Sequence, residues 1–117
     1  HTAAANAKTA TLSRYSEHTV EVTEANGYSS SGKALTGEVW TVGASAGQMK
    51  FDADDPIWTA TGGTIPNIKF AVIWLSGATA SLRRLLCRSQ LSTAQFTLSQ
   101  GNTLTITNNS AGIFTLA

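Results

Sequence analysis

FDADDPIWTATGGTIP, residues Phe51 to Pro66, decides the fold class of this chain. Its opening residues close an alternating run from Gln48 to Ala53. Met49, Phe51 and Ala53 fall on one face, and Gln48, Lys50 and Asp52 on the other. A strand with one wet face alternates in this way. Asp54-Asp55-Pro56 ends that strand, because proline cannot donate to a ladder. Ile57 to Ala60 reads as a short strand closed by the Gly62-Gly63 turn. Pro66 stops whatever lies before it.

Similar signals recur on both sides. Thr19 to Thr23, Ala34 to Val42, Phe96 to Ser99, Thr103 to Thr107 and Gly112 to Leu116 all read as strands. Ile68 to Leu75 (IKFAVIWL) is the most apolar segment. It is short for a helix and reads as a central strand buried on both faces. Leu82 to Leu91 fits a helical stripe through Leu82, Leu85 and Leu86. It also fits a strand through Arg83, Leu85, Cys87, Ser89 and Leu91, and its β surroundings favour the strand. Asn26 to Gly32, Gly43 to Gly47, Ser76 to Ser81, Gln100 to Asn102 and Asn108 to Gly112 are turns or loops. Seven to nine short strands predict an all-β fold: a single-domain antiparallel β-sandwich or jelly-roll-like barrel over residues 19–117. Residues 1–18 are small and weakly patterned, and are expected to form an N-terminal arm or extended lead-in. Residue 1 is His, so the chain reads as processed or as beginning inside a longer product.

A chain of 117 residues fits one domain with a modest core. Ser and Thr make up about a quarter of it, which suits strands and the turns between them. Net charge is +1, with no basic run beyond Arg83-Arg84 and Arg88. Nucleic-acid binding needs a clustered basic face, so no nucleic-acid partner is expected. Cys87 is the only cysteine, which excludes an intrachain disulfide framework. Its place after Leu85-Leu86 suggests a small buried residue. No apolar run reaches the ~18 residues of a membrane helix, and no signal-peptide pattern is present.

Several segments imitate chemical motifs. Gly27 to Ala34 (GYSSSGKA) nearly spells the phosphate-binding G-x-x-x-x-G-K-[ST]. Ala34 lacks the hydroxyl that would hold magnesium, and Leu35 onward reads as strand rather than the required helix. Gly43 to Gly47 (GASAG) spells the nucleophile elbow G-x-S-x-G. That motif needs a strand-to-helix turn and a downstream histidine, whereas His1 and His18 both precede Ser45. Asp52, Asp54 and Asp55 place three carboxylates within four residues. The Gly and distal Glu of a calcium loop are not in register, and no aromatic cleft marks a glycosidase pair. They read as one wet-face residue and a corner. Trp74 is assigned to the core, and Trp40 and Trp58 are favoured for it over sugar stacking. Arg83, Arg84 and Arg88 read as a solvated strand face, with an acidic protein partner as the functional alternative. No catalytic, cofactor-binding or metal-binding residue is assigned, and no enzyme activity is expected.

Three segments together resemble a family of small structural proteins of tailed bacteriophages. They are EANGYSSSGKALTG (Glu24 to Gly37), Phe51 to Pro66, and SAGIFTL (Ser110 to Leu116). The matching positions are Gly27, Tyr28, Gly32, Lys33 and Leu35, then Phe51 to Ile65, then Gly112, Ile113 and Phe114. The resemblance runs from about residue 19 to the end, and Ser76 to Leu98 match weakly. Members carry an apolar strand upstream of the matched region, which this chain lacks. The resemblance implies a structural virion part and transfers no catalytic residue.

The expected function is therefore a minor capsid or decoration protein that reinforces contacts between subunits on the capsid exterior. Its expected partners are the major capsid protein and itself, as a homotrimer on local threefold sites, with residues 1–18 lying on a neighbour. The alternative is a tail-tip or fibre module that binds host glycan, which an exposed Trp40 or Trp58 beside Asp54 and Asp55 would favour.

Overall fold

A computed structural model describes residues 1–2, 13–17 and 21–117. Nine short strands occur among them: β1 (Val39–Val42), β2 (Met49–Asp52), β3 (Ile57–Thr59), β4 (Ile65–Ile68), β5 (Phe70–Trp74), β6 (Leu85–Gln90), β7 (Phe96–Leu98), β8 (Thr103–Thr105) and β9 (Phe114–Leu116). Single 3-10 turns lie at Tyr15–Glu17 and Ala80–Leu82.

Every pairing between these strands is antiparallel, and four of the pairings are nested. β5 pairs with β6, β4 with β7, β3 with β8 and β2 with β9, while β1 flanks β2. The chain runs out through β2 to β5, reverses, and returns along its own path. Folding such a doubled ribbon into two layers gives a jelly roll, which covers most strand edges. The fold is all-β, as the alternation predicts.

Beyond the shortening of the expected Ala34 to Val42 strand to Val39–Val42, two details depart from the sequence expectation and a third explains an ambiguity in it. Pro66 does not stop a segment. It sits inside β4, where pairing with β7 shifts register between Ile65 and Ile68 and Asn67 adopts φ +61°. Proline is tolerated there because a bulge needs no donor at that position. The IKFAVIWL run is not one central strand. Ile68 ends β4, and Phe70–Trp74 form β5, which pairs only with β6 and is half-buried beyond Phe70. In β6 the register slips by one residue between Ile73–Cys87 and Trp74–Leu85, leaving Leu86 as the extra residue. That bulge accounts for the Leu85-Leu86 doublet that imitates a helical stripe.

Within the expected strand at Thr19 to Thr23, residues 19 and 20 lie outside the described residues. Glu21 to Thr23 pair with no strand, yet Val22 is buried in the core. Most of segment 1–18 also lies outside the described residues. Its described parts hydrogen-bond to the body: Lys69 and Phe70 N–H donate to the His1 carbonyl, and Leu85 N–H to that of Ser13.

The core is small. Val22, Ala60, Ile65, Ile68 and Leu98 form one buried cluster, with Tyr28, Leu91, Phe96 and Leu104 packed around it. An apolar cavity of about 640 Å³ continues from it between the layers, and its lining includes Phe51, Trp58, Phe70, Trp74, Leu86 and Leu104. Every nested pair contributes to that lining, so the cavity is the interior of the sandwich.

The three family-like segments meet in space. The Asn26-Gly27 turn docks on the corner after β3. There Thr61 N–H donates to the Asn26 carbonyl at 2.9 Å, and Asn26 Nδ2 donates to the Thr64 carbonyl at 2.6 Å. Lys33 Nζ donates to the Ile57 carbonyl at 3.0 Å. From the other side, Ile113 N–H donates to the Phe51 carbonyl at 2.8 Å, and Lys50 Nζ to that of Ser110 at 3.1 Å. Phe51 to Pro66 is thus the segment on which the other two close.

Gly27 is the tightest point of this closure. Its φ is +93°, and a Cβ there would collide with the Thr59 carbonyl oxygen. Gly101 has a similar φ of +84° with open space around it. Gly27→Ala is expected to cost about 2 kcal/mol or more in urea unfolding, and Gly101→Ala only about 1 kcal/mol, since strain acts alone there. Equal losses would contradict the close docking of the turn.

Candidate functional site: an uncovered apolar sheet face

Antiparallel register aligns side chains across β1, β2 and β9. Trp40, Phe51 and Phe114 form one cross-strand row, and Val42, Met49 and Leu116 the next. Residues two apart on a strand share a face, so the two rows make one continuous apolar surface. The intervening positions, Thr41, Lys50 and Thr115, point the other way. Lys50 and Asp52 pair on that opposite face at 3.4 Å.

The first row is a packed aromatic cluster. Trp40 lies 5.1 Å from Phe51 and 5.7 Å from Phe114 between ring centres, and Phe51 lies 5.2 Å from Phe114. Phe51 is 7% exposed and lines the interior cavity. The second row has no cover. Val42 is 76% exposed, Leu116 56% and Met49 41%. The inner face of the sheet therefore runs on past the core into open solvent. Sequence alternation assigns Met49 and Phe51 to one face, and the structure keeps that face while covering only Phe51. Trp40, favoured for the core, is 49% exposed although it packs on Phe51 and Phe114. It lies in β1, which among the described residues is an edge strand.

The other tryptophans face inward. Trp58 pairs with Leu104 across β3 and β8, is half-buried, and lines the cavity. Trp74 is half-buried and stacks on Tyr15 at 4.6 Å.

The motif-like polar groups are occupied by architecture. Asp54 accepts from Thr36 Oγ1 at 3.0 Å, and Asp55 from Asn108 N–H at 2.7 Å. Asn108 Nδ2 returns a bond to the Ala53 carbonyl at 2.9 Å, so the acidic corner is bound to the loop before β9. Among the described residues no His, Cys, Asp and Glu side chains cluster in a way that could hold a metal ion. Ser45 sits in the β1–β2 hairpin, where Gln48 N–H donates to its carbonyl. His18 lies outside the described residues. No helix follows Gly32-Lys33, so the helix N-terminus that a phosphate-binding loop requires is not there. Cys87 is half-buried, and burial pushes its thiol pKa up, which lowers its reactivity. Among the described residues no helix is long and apolar enough to cross a membrane.

Sequence reasoning missed one polar hub. Glu21 accepts from the hydroxyls of Tyr15 and Tyr28 and, at 2.8 Å, from Ser31 N–H. Arg83 covers the Tyr15 ring at 5.4 Å and donates to Ser31 Oγ at 2.9 Å. Arg83 is thus drawn inward, while Arg84 stays exposed, so the arginines do not present one ridge. No local pattern announces this hub, because its members come together only through the fold.

Burial, then the hydrogen bond to Glu21, holds the Tyr28 phenol well above its usual range, and Tyr15 shifts the same way. The folded state keeps a proton that the unfolded chain releases near pH 10. The two phenols therefore leave stability unchanged below about pH 10 and lower it as pH rises beyond, and the raised Cys87 thiol adds a smaller fall that begins near pH 9. Urea midpoints measured from about pH 8 to pH 11 are expected to follow that course, with a shallower alkaline fall in Tyr28→Phe. An unchanged slope in the variant would remove Tyr28 from the account. No family model, curated protein or solved structure matches the chain, so its function rests on its own geometry.

Proposed function

We propose that this chain is a structural protein of a tailed-phage virion. In this reading it is a minor capsid or decoration protein that binds the major capsid protein on the capsid exterior and works without catalysis. The observation that carries the reading is the uncovered apolar face of β1, β2 and β9, set beside polar groups already committed to holding the fold. A molecule with its functional surface in an apolar sheet face, and its carboxylates in turns, is suited to contact rather than to chemistry. The resemblance of Glu24 to Gly37, Phe51 to Pro66 and Ser110 to Leu116 to phage structural proteins supports the same reading. Jelly rolls serve both viral capsids and lectins, so the fold alone is neutral between them.

Magnitudes favour several copies acting together. The uncovered part of the apolar face is roughly 400 Å², the size at which exposed patches mark interaction sites. Covering it is worth roughly 10 kcal/mol at about 25 cal/mol per Å². Association itself costs about 4–15 kcal/mol. One such contact is marginal, whereas a homotrimer on a local threefold site engages the capsid at three points and gains by avidity.

The glycan-binding alternative needs an exposed tryptophan beside Asp54 and Asp55. Trp58, the tryptophan nearest them in sequence, lines the interior, and both carboxylates already accept protein hydrogen bonds. Exposed Trp40 is the feature that keeps this second reading testable.

The protein is expected in purified, tail-free heads when virions are separated into heads and tails and each fraction is analysed by mass spectrometry. Its absence from heads, or its recovery only with tails, would overturn the capsid assignment.

A further inference from the structure

We infer that the apolar cavity between the layers is a binding site for a carboxylate with a hydrocarbon tail, its head held by Arg83 and its tail lying among Phe70, Trp74, Trp58 and Leu104. The inference concerns the interior of the molecule and does not depend on which partner meets its outer face.

Volume and lining carry the first half of the argument. The cavity measures about 640 Å³. Small-molecule sites fall in the range of about 300–1,000 Å³ and have mostly apolar walls with a few polar groups. Native interiors hold few voids larger than a water molecule, and the loss of stability grows with the volume left empty. Water is a poor filler here, because it needs several polar partners and the walls are side chains such as Ile65, Ile68, Phe70 and Leu98. Ala34 and Leu35 cover part of the cavity from a segment that pairs with no strand, so a ligand can enter there without breaking a ladder.

Arg83 carries the second half. It is half-buried and lies on the cavity lining. Nε donates to the Gly77 carbonyl at 3.4 Å, Nη1 donates to Ser31 Oγ at 2.9 Å, and the guanidinium covers the Tyr15 ring at 5.4 Å. All three partners are neutral. Among the described residues Arg83 forms no ion pair, and its Nη2 makes no hydrogen bond. Glu21, the carboxylate of the same hub, is taken up by the hydroxyls of Tyr15 and Tyr28 and by Ser31 N–H. A partly buried cation without a counter-ion is costly, and a guanidinium offers paired N–H groups that match a carboxylate. Tyr15 links this cation to the apolar wall, since its ring also stacks on Trp74 at 4.6 Å. Lys33 and Glu38, the other charged side chains on the lining, are exposed, and Lys33 Nζ is already bonded to the Ile57 carbonyl. A ligand that answers both features is therefore anionic at one end and apolar along the rest.

The test is calorimetric titration of the full chain with sodium decanoate and with decanol, which has the same tail and no charge. Decanoate is expected to bind at one molecule per chain with a Kd on the order of 10 µM. Decanol is expected to bind about tenfold more weakly, because it lacks the charge-assisted bonds to Arg83. Arg83→Leu is expected to remove that difference by weakening decanoate alone. Arg84→Leu, at the exposed neighbouring position, is expected to leave both unchanged. Val72→Phe is expected to weaken both ligands, because Val72 lines the cavity on the strand face it shares with Phe70 and Trp74. Circular dichroism of each variant reports whether it is folded. Should Arg83→Leu misfold, Arg83→Lys replaces it; lysine keeps the charge without the paired geometry and is expected to narrow the difference between the ligands. Bound decanoate is also expected to raise the Tm of the wild type as its concentration rises. No saturable binding of decanoate by the wild type up to about 1 mM would overturn the inference. Equal affinity for the acid and the alcohol would overturn it too, as would binding that survives both Arg83→Leu and Val72→Phe, the result that adsorption to an outer apolar face gives.

Discussion

The Thr59 carbonyl oxygen occupies the space that any side chain at residue 27 would fill, and much of the architecture depends on that exclusion. Because Gly27 has no Cβ, the Asn26-Gly27 turn can lie directly on the corner after β3. Asn26 then bonds both Thr61 and Thr64, and Val22 and Tyr28 are delivered to the core cluster. Lys33 reaches the Ile57 carbonyl from the same excursion. The loop that imitates a phosphate-binding motif is therefore a clamp on the central segment. Gly27 is explained by close approach, Gly32 by its φ of +74°, and Lys33 by one backbone bond.

The central segment is held from the far side as well. Ile113 and Lys50 join the approach to β9 to β2, and Asn108 is bound to the corner formed by Asp54 and Asp55. In this arrangement the carboxylates terminate a strand and receive donors from a distant loop. Their value lies in geometry, and exposed bonds of this kind each contribute modestly. The interior adds little beyond its small cluster, since among the described residues seven hydrophobic side chains are buried and a cavity of about 640 Å³ lies between the layers. A domain with this core is marginal by itself, and any partner that binds only the folded form would stabilise it by mass action.

Much of the fold was legible in the sequence. Alternation around Phe51, the Asp-Asp-Pro corner and the Gly-Gly turn carry local information, and the strands that follow from them are present. Their pairing was not legible, because the nesting of β2–β9 around β3–β8 is a long-range property without a local signature. The bulge at Pro66-Asn67 misled, and the one at Leu86 left an ambiguity that the β surroundings resolved correctly. The first made a strand look terminated, and the second gave a strand a helical stripe beside its alternating one. For the candidate site, period two identified the apolar face correctly but could not say how much of it the opposing layer covers. Trp40 was favoured for the core on the sound premise that large aromatics seek burial. It is half exposed because it stands in β1, an edge strand among the described residues. The Glu21 hub was invisible for the same reason as the pairing: Tyr15, Tyr28, Ser31 and Arg83 are brought together by the fold alone.

A virion part built on a contact surface is the central claim, and a high-resolution electron cryomicroscopy reconstruction of the intact particle tests it most directly. The account predicts density for this all-β domain on the outer capsid surface, with the Val42–Met49–Leu116 row covered by the major capsid protein. Density confined to the tail, or a capsid-bound domain whose β1–β2–β9 face stands open to solvent, would contradict it.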